Sequence, residues 1–243
     1  MKMLKFCMTV DCEGYTMLKQ GNPEYGLWGN IKFFINNLIK DFRYNRRGFW
    51  VFYDEIKKQK FPCTFMLVGK LFKPVENLNF VEWGYHTYNH LPLNLVSDET
   101  VKREVENIYK VKSITCPMWR VEDIKNPARI FNFLKKEGYK NTVYHGKCKG
   151  IRTFCKKGIR KPEKRFGINC IYVSNYFEGN WNKNKLSKVK KDILKNLDRD
   201  GVYLLTTHDF THKTIKNLKG IIDVVRQLEE EKKIKVVKLE EIN

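Results

Sequence analysis

The chain has 243 residues, a net charge of +20 and a mean hydropathy of −0.53. A composition of 42% hydrophobic and 30% charged residues is that of a water-soluble globular protein with one sizeable core. No stretch reaches the roughly 20 apolar residues of a membrane-spanning helix, and Met1–Thr9 runs too soon into acidic residues for an export signal, so the expected location is cytoplasmic.

The first apolar run, Leu4–Val10, reads as a strand and closes on Thr9-Val10-Asp11-Cys12-Glu13. Alternation along a strand puts Asp11 and Glu13 on one face. Two carboxylates there repel unless a cation binds between them or one keeps its proton; an exposed strand end or turn is the plain alternative. Helices are predicted over Ile31–Phe42 and Phe49–Lys57, then strands over Thr64–Val68 and Phe80–Trp83. The latter runs into Gly84-Tyr85-His86-Thr87-Tyr88-Asn89-His90. One helical turn would aim both imidazoles to the same side, and neutral imidazole suits zinc, iron, cobalt or nickel. Such a spacing also arises by chance, but the chain holds only five histidines, and two of them fall here.

Ser97 caps a predicted helix, Asp98–Lys112. A strand over Ser113–Met118 leads to Trp119-Arg120. Asn126-Pro127 opens the helix Pro127–Glu137, which Gly138 stops; a strand follows over Thr142–Tyr144. Residues 146–166, with three glycines and many lysines, read as a basic insertion, loop or hairpin. Strands Asn169–Val173, Val202–Thr206 and Lys235–Leu239 and helices Leu186–Leu197 and Ile215–Glu230 complete the series. The run Leu204-Leu205-Thr206-Thr207 ends on His208-Asp209.

This alternation describes one α/β domain over residues 1–243 built on a mostly parallel sheet. In a barrel, catalytic groups come from the C-terminal ends of different strands, and Asp11, Glu13, His86, His90, Arg120 and His208 all fall at such ends. The seven cysteines are odd in number and form no CxxC pair, so they fit reduced, buried thiols better than a disulfide or zinc framework. Between Lys140 and Lys191 there are 15 Lys/Arg against Glu163 and Glu178, an excess of +13. A solvated surface is the simple reading; such a field also attracts an anionic partner, whether nucleic acid, phosphorylated glycan, nucleotide-sugar or membrane surface.

The motifs resemble those of the polysaccharide deacetylases of the NodB-homology type, carbohydrate esterase family 4. Thr9-Val10-Asp11-Cys12-Glu13 is similar to a divergent form of the family's first motif, and His86-Thr87-Tyr88-Asn89-His90 matches its His-Ser/Thr-x-x-His motif in full. Pro62-Cys63-Thr64-Phe65-Met66-Leu67-Val68 resembles its second strand, and Leu205-Thr206-Thr207-His208 its late Leu-x-x-His. The third motif keeps only Arg120, and the tryptophan of the fourth is matched at best by Trp181. The resemblance implies a distorted (β/α)7 barrel of the NodB-homology type. It further implies a divalent metal (zinc by default, with iron, cobalt or nickel compatible) held by Glu13, His86 and His90. Asp11 would be the catalytic base, Arg120 the residue that holds it, and His208 the catalytic acid. The implied reaction removes an N-acetyl group from a sugar or glycan precursor, possibly anionic, by metal-activated water. A non-sugar amide or cyclic amide as substrate, and a non-catalytic glycan- or nucleic-acid-binding protein, are the competing readings.

Overall fold

The computed structural model describes residues 3–13, 47–117, 121–123, 125–144, 159–177, 185–209 and 215–242. The expected helix Ile31–Phe42, Arg120, Trp181 and most of the basic insertion lie outside them. Seven strands close into a parallel barrel: β1 (Leu4–Cys12), β2 (Cys63–Leu67), β3 (Val81–Tyr85), β4 (Ser113–Thr115), β5 (Asn141–Tyr144), β7 (Ile168–Phe177) and β8 (Val202–His208). Strand β1 closes the ring by pairing with β8 along Lys5–Asp11 and with β2 along Thr9–Cys12. Two short strands extend the sheet: β6 (Glu163–Arg165) runs antiparallel to the start of β7, and β9 (Ile234–Val236) lies parallel to Leu4–Phe6. The helices are α1 (Arg47–Gln59), α2 (Asp98–Val105), α3 (Ala128–Lys136), α4 (Lys185–Leu194) and α5 (Ile215–Glu230). Among the described residues no helix is long and apolar enough to cross a membrane.

Both faces of the strands are buried, which is why they read as continuous apolar runs. On β1, Leu4, Phe6, Met8, Val10 and Cys12 face outward and pack with Phe52 and Ile56 of α1 and Ile221, Ile222 and Val225 of α5. Cys7 faces inward, with Met66, Val143, Ile171 and Leu204 from the other strands. The five described cysteines are free and buried, as their placement in apolar runs suggests.

Most elements fall within a few residues of expectation. Helix α2 is the exception, ending at Val105 rather than Lys112 because the carbonyl of Glu104 is diverted to the amide of Tyr88. Strand β4 stops at Thr115, two residues before Pro117, which has no N–H to give a ladder. Strand β7 runs on to Phe177 through an irregularity between Val173 and Asn175.

The N-terminal end of the barrel has a built floor. Val237, Leu239 and Ile242 join the inward-facing cluster, and polar side chains at the strand starts fasten their backbone. Thr64 accepts from the Leu239 amide (3.0 Å), Glu82 from the Glu240 amide (2.8 Å) and from Thr64 itself (2.8 Å), and Asn141 donates to the Leu239 carbonyl (3.3 Å). Leu239→Ala opens a cavity under the barrel and is expected to lose about 2–5 kcal/mol of stability. Leu95→Ala, at a side chain 53% exposed, stays within about 0.5 kcal/mol; urea unfolding of both variants measures the difference.

Candidate metal centre

The site sits at the opposite, C-terminal end of the barrel. Beneath it Gly84 gives room to Met66, since a Cβ there would lie 2.3 Å from the Met66 sulfur, and Thr9 and Thr206 share a hydroxyl contact of 3.0 Å. Above that layer, Asp11 and His208 are direct register partners across β1 and β8. Asp11 and Glu13 are 2% and 0% exposed, while Cys12 packs into the outer core, as strand alternation predicts.

The two histidines of the HTYNH segment meet, but not through a helical turn. Residues 86–90 form a loop in which Thr87 and His90 adopt left-handed backbone (φ 62° and 63°). For a β-branched residue such as Thr87 this costs about 1–3 kcal/mol and persists only when the surroundings enforce it. They do: the His86 amide donates to Leu67 O (2.7 Å), the Gly69 and Lys70 amides donate to Thr87 O and Tyr88 O (2.9 and 3.0 Å), and Glu104 holds the far side.

The geometry then fixes protonation. The His86 Nδ1 lies 2.7 Å from Thr115 O; a carbonyl only accepts, so Nδ1 carries the proton and Nε2 presents its lone pair inward. Burial, with His90 beside it, brings the His86 pKa down to about 3, so the ring is neutral near pH 7. Its Nε2 is 3.0 Å from His90 Nε2, which is 2.8 Å from Glu13 Oε2. The Glu13 Oε1 lies 2.5 Å from His208 Nε2, and the Tyr176 hydroxyl bonds the other nitrogen of His208. One carboxylate thus links the histidine pair to His208.

Burial works against ionisation of Glu13, but His90 and His208 outweigh it and hold its carboxyl well below the ordinary range. Burial also disfavours a charged His208, yet Glu13 and Asp11 raise its pKa. Burial, partly offset by His208 and His90 and reinforced by Glu13, pushes Asp11 up to about 7. The Asp11 Oδ1 is buried without a hydrogen-bond partner among the described residues.

Glu13, His86 and His90 offer three ligand atoms within 4.8 Å of one another. They fit a divalent cation: one anionic oxygen, and one imidazole fixed in the tautomer that a ligand requires by a backbone carbonyl on its far nitrogen. Of the residues singled out in the sequence, the structure brings together Asp11, Glu13, His86, His90 and His208. It adds three that carry no local signal as motif members: Thr115 behind His86, Glu104 behind the loop, and Tyr176 behind His208. Thr115, the last residue of β4, and Tyr176, at the end of β7, obey the strand-end rule; Glu104, on α2, does not. Cobalt(II) titrated into metal-free protein is expected to bind at one ion per chain with a visible d–d spectrum, and His86→Ala to abolish that spectrum; full cobalt uptake by the variant would refute the ligand set.

No family model and no curated protein matches the sequence. Solved structures do. A Mycobacterium smegmatis protein assigned to the polysaccharide deacetylases superposes with a TM-score of 0.62 at 15% identity, covering 99% of this chain and 89% of that one. The Bc1960 peptidoglycan N-acetylglucosamine deacetylase, in complex with a naphthalenyl N-hydroxybenzamide, gives a TM-score of 0.50 at 13% identity, covering 98% and 87%. The chain therefore has the barrel fold found in polysaccharide deacetylases.

Proposed function

We propose that this chain is a divalent-metal-dependent deacetylase that hydrolyses an N-acetyl group on a sugar or glycan precursor. The observation that carries the reading is the convergence of Glu13, His86 and His90, with a second buried carboxyl, Asp11, and a further histidine, His208, at the same barrel mouth. The likeness of fold to deacetylases and the HTxxH motif support it.

Glu13, His86 and His90 would hold the ion, zinc by default, which when bound supplies Lewis acidity toward an acyl oxygen and acidifies water. The remaining chemistry belongs to the protein. Asp11 stands outside the ligand set, and its buried carboxyl, with one oxygen that has no hydrogen-bond partner among the described residues, is placed to take a proton from water. His208 is assigned to protonate the departing nitrogen, with Tyr176 and Glu13 fixing its ring. Arg120 keeps the role that the motif resemblance gives it, holding Asp11. In the balanced reaction, water oxygen bonds to the acyl carbon and the C–N bond breaks. Asp11 receives one proton from water and His208 gives one to nitrogen, so acetic acid and the amine form and leave as acetate and ammonium after the acid's proton passes to the amine; a proton moving from Asp11 to His208 through solvent resets the site.

Metal-loaded protein is expected to release acetate from N-acetylated sugars. Asp11→Asn should retain the metal while kcat falls by ~10²–10⁴, and Tyr176→Phe should lose less. Stoichiometric metal with no acetate release from any N-acetylated sugar would overturn the reading, and unchanged turnover in Asp11→Asn would remove Asp11 as the base.

A further inference from the structure

We propose that Glu104 is a positioning residue of this centre: its buried side chain sets the backbone of the His86–His90 loop so that the His90 imidazole reaches Glu13. The inference rests on the reading of Glu13, His86 and His90 as metal ligands.

Glu104 lies on α2, next to the helix end, and is 1% exposed. Its carboxyl serves none of its own helix's amides in the contacts described. Oε2 accepts from the Asn89 amide (2.9 Å) and the Leu91 amide (3.4 Å), and Oε1 accepts from the Asn89 side-chain amide (2.7 Å). Its carbonyl accepts from the Tyr88 amide at 2.9 Å. Backbone donors at 88, 89 and 91 thus converge on one residue and bracket His90. That residue has the left-handed φ of 63° and places Nε2 2.8 Å from Glu13.

A carboxyl is costly to bury, and the cost is offset only by donors. Here the donors all come from the loop that carries the histidines. A carboxylate cannot bond the orphan carbonyls at the C-terminus of its own helix; Glu104 instead ties the helix end to a foreign segment. Removing the carboxyl leaves the Asn89 and Leu91 amides without their acceptor and frees the strained backbone at His90 to relax. The imidazole then swings from Glu13, although Glu104 touches neither the imidazole nor the ion.

The test compares Glu104→Ala, Glu104→Gln and Asn89→Ala with the wild-type chain. In metal-free protein, amide hydrogen exchange at 89 and 91 and the side-chain nitrogen signals of His90 report loop and ring. Cobalt(II) affinity by chelator competition reports the centre, and thermal unfolding reports the fold. In Glu104→Ala, exchange at 89 and 91 should quicken, the His90 ring signals should move, and the cobalt Kd should rise by about 10–100-fold. Glu104→Gln, which retains an acceptor for the two backbone amides, should recover most of the affinity, and Asn89→Ala should fall between. Wild-type cobalt affinity and unmoved His90 signals in Glu104→Ala, even with a lowered Tm, would overturn the proposal and leave Glu104 a structural residue. A wild-type chain that binds no cobalt would instead sink the ligand reading, while the metal-free exchange and ring signals still decide whether Glu104 sets the imidazole. If Glu104→Ala does not fold, Asn89→Ala and Glu104→Gln carry the same comparison.

Discussion

Everything at the barrel mouth depends on how β1 is held. It is paired on both sides, with β8 along almost its whole length and with β9 and then β2 on the other side, and nearly every one of its residues is buried. Inward positions on this single strand step from Cys7 in the apolar interior through Thr9 to Asp11 at the rim, with Glu13 just beyond. A strand so fixed cannot slip by one residue without turning its carboxylates into the outer core and its apolar side chains into the barrel. The position of the two acids is therefore a property of the ladder, not of a flexible terminus.

That fixed placement creates an electrostatic problem and also solves it. Two acids that share a face and are withdrawn from water cannot behave alike. Glu13 lies between His90 and His208, whose rings favour its charge, and Asp11 keeps a buried oxygen without a hydrogen bond among the described residues. The environment drives one carboxyl down and the other up to about 7. Divergence of paired carboxyls by surroundings is how one site obtains both an anion and a proton acceptor.

The fold was legible in the sequence wherever burial is two-sided: the apolar runs at Leu4, Thr64, Val202 and Lys235 each correspond to a strand or its edge. The acids and histidines were legible because they sit where an apolar run stops. Less legible were features made by distant contacts. The early end of α2 depends on Tyr88, the short β4 on Pro117, and the polar tail of β7, Ser174-Asn175-Tyr176-Phe177, on pairing with β8. The spacing of His86 and His90 suggested a helical turn, yet their rings meet through two left-handed residues that hydrogen bonds from β2 and α2 enforce. Nothing within five residues of the motif encodes that. Thr115 and Glu104 act by a carbonyl and a carboxyl whose targets lie elsewhere in the chain, so no local pattern marks them.

The pairing of β1 also bears on biosynthesis. Lys5 pairs with Val202 and Leu4 with Ile234, so this end of β1 leaves the ribosome roughly 200 residues before its partners. At roughly 5–20 residues per second, that interval is on the order of ten to forty seconds. Throughout it, β2 can pair only with the Thr9–Cys12 end of this nine-residue strand, and the Leu4–Met8 end, of high β-propensity with a single lysine, lacks its β8 and β9 partners, the condition that favours aggregation.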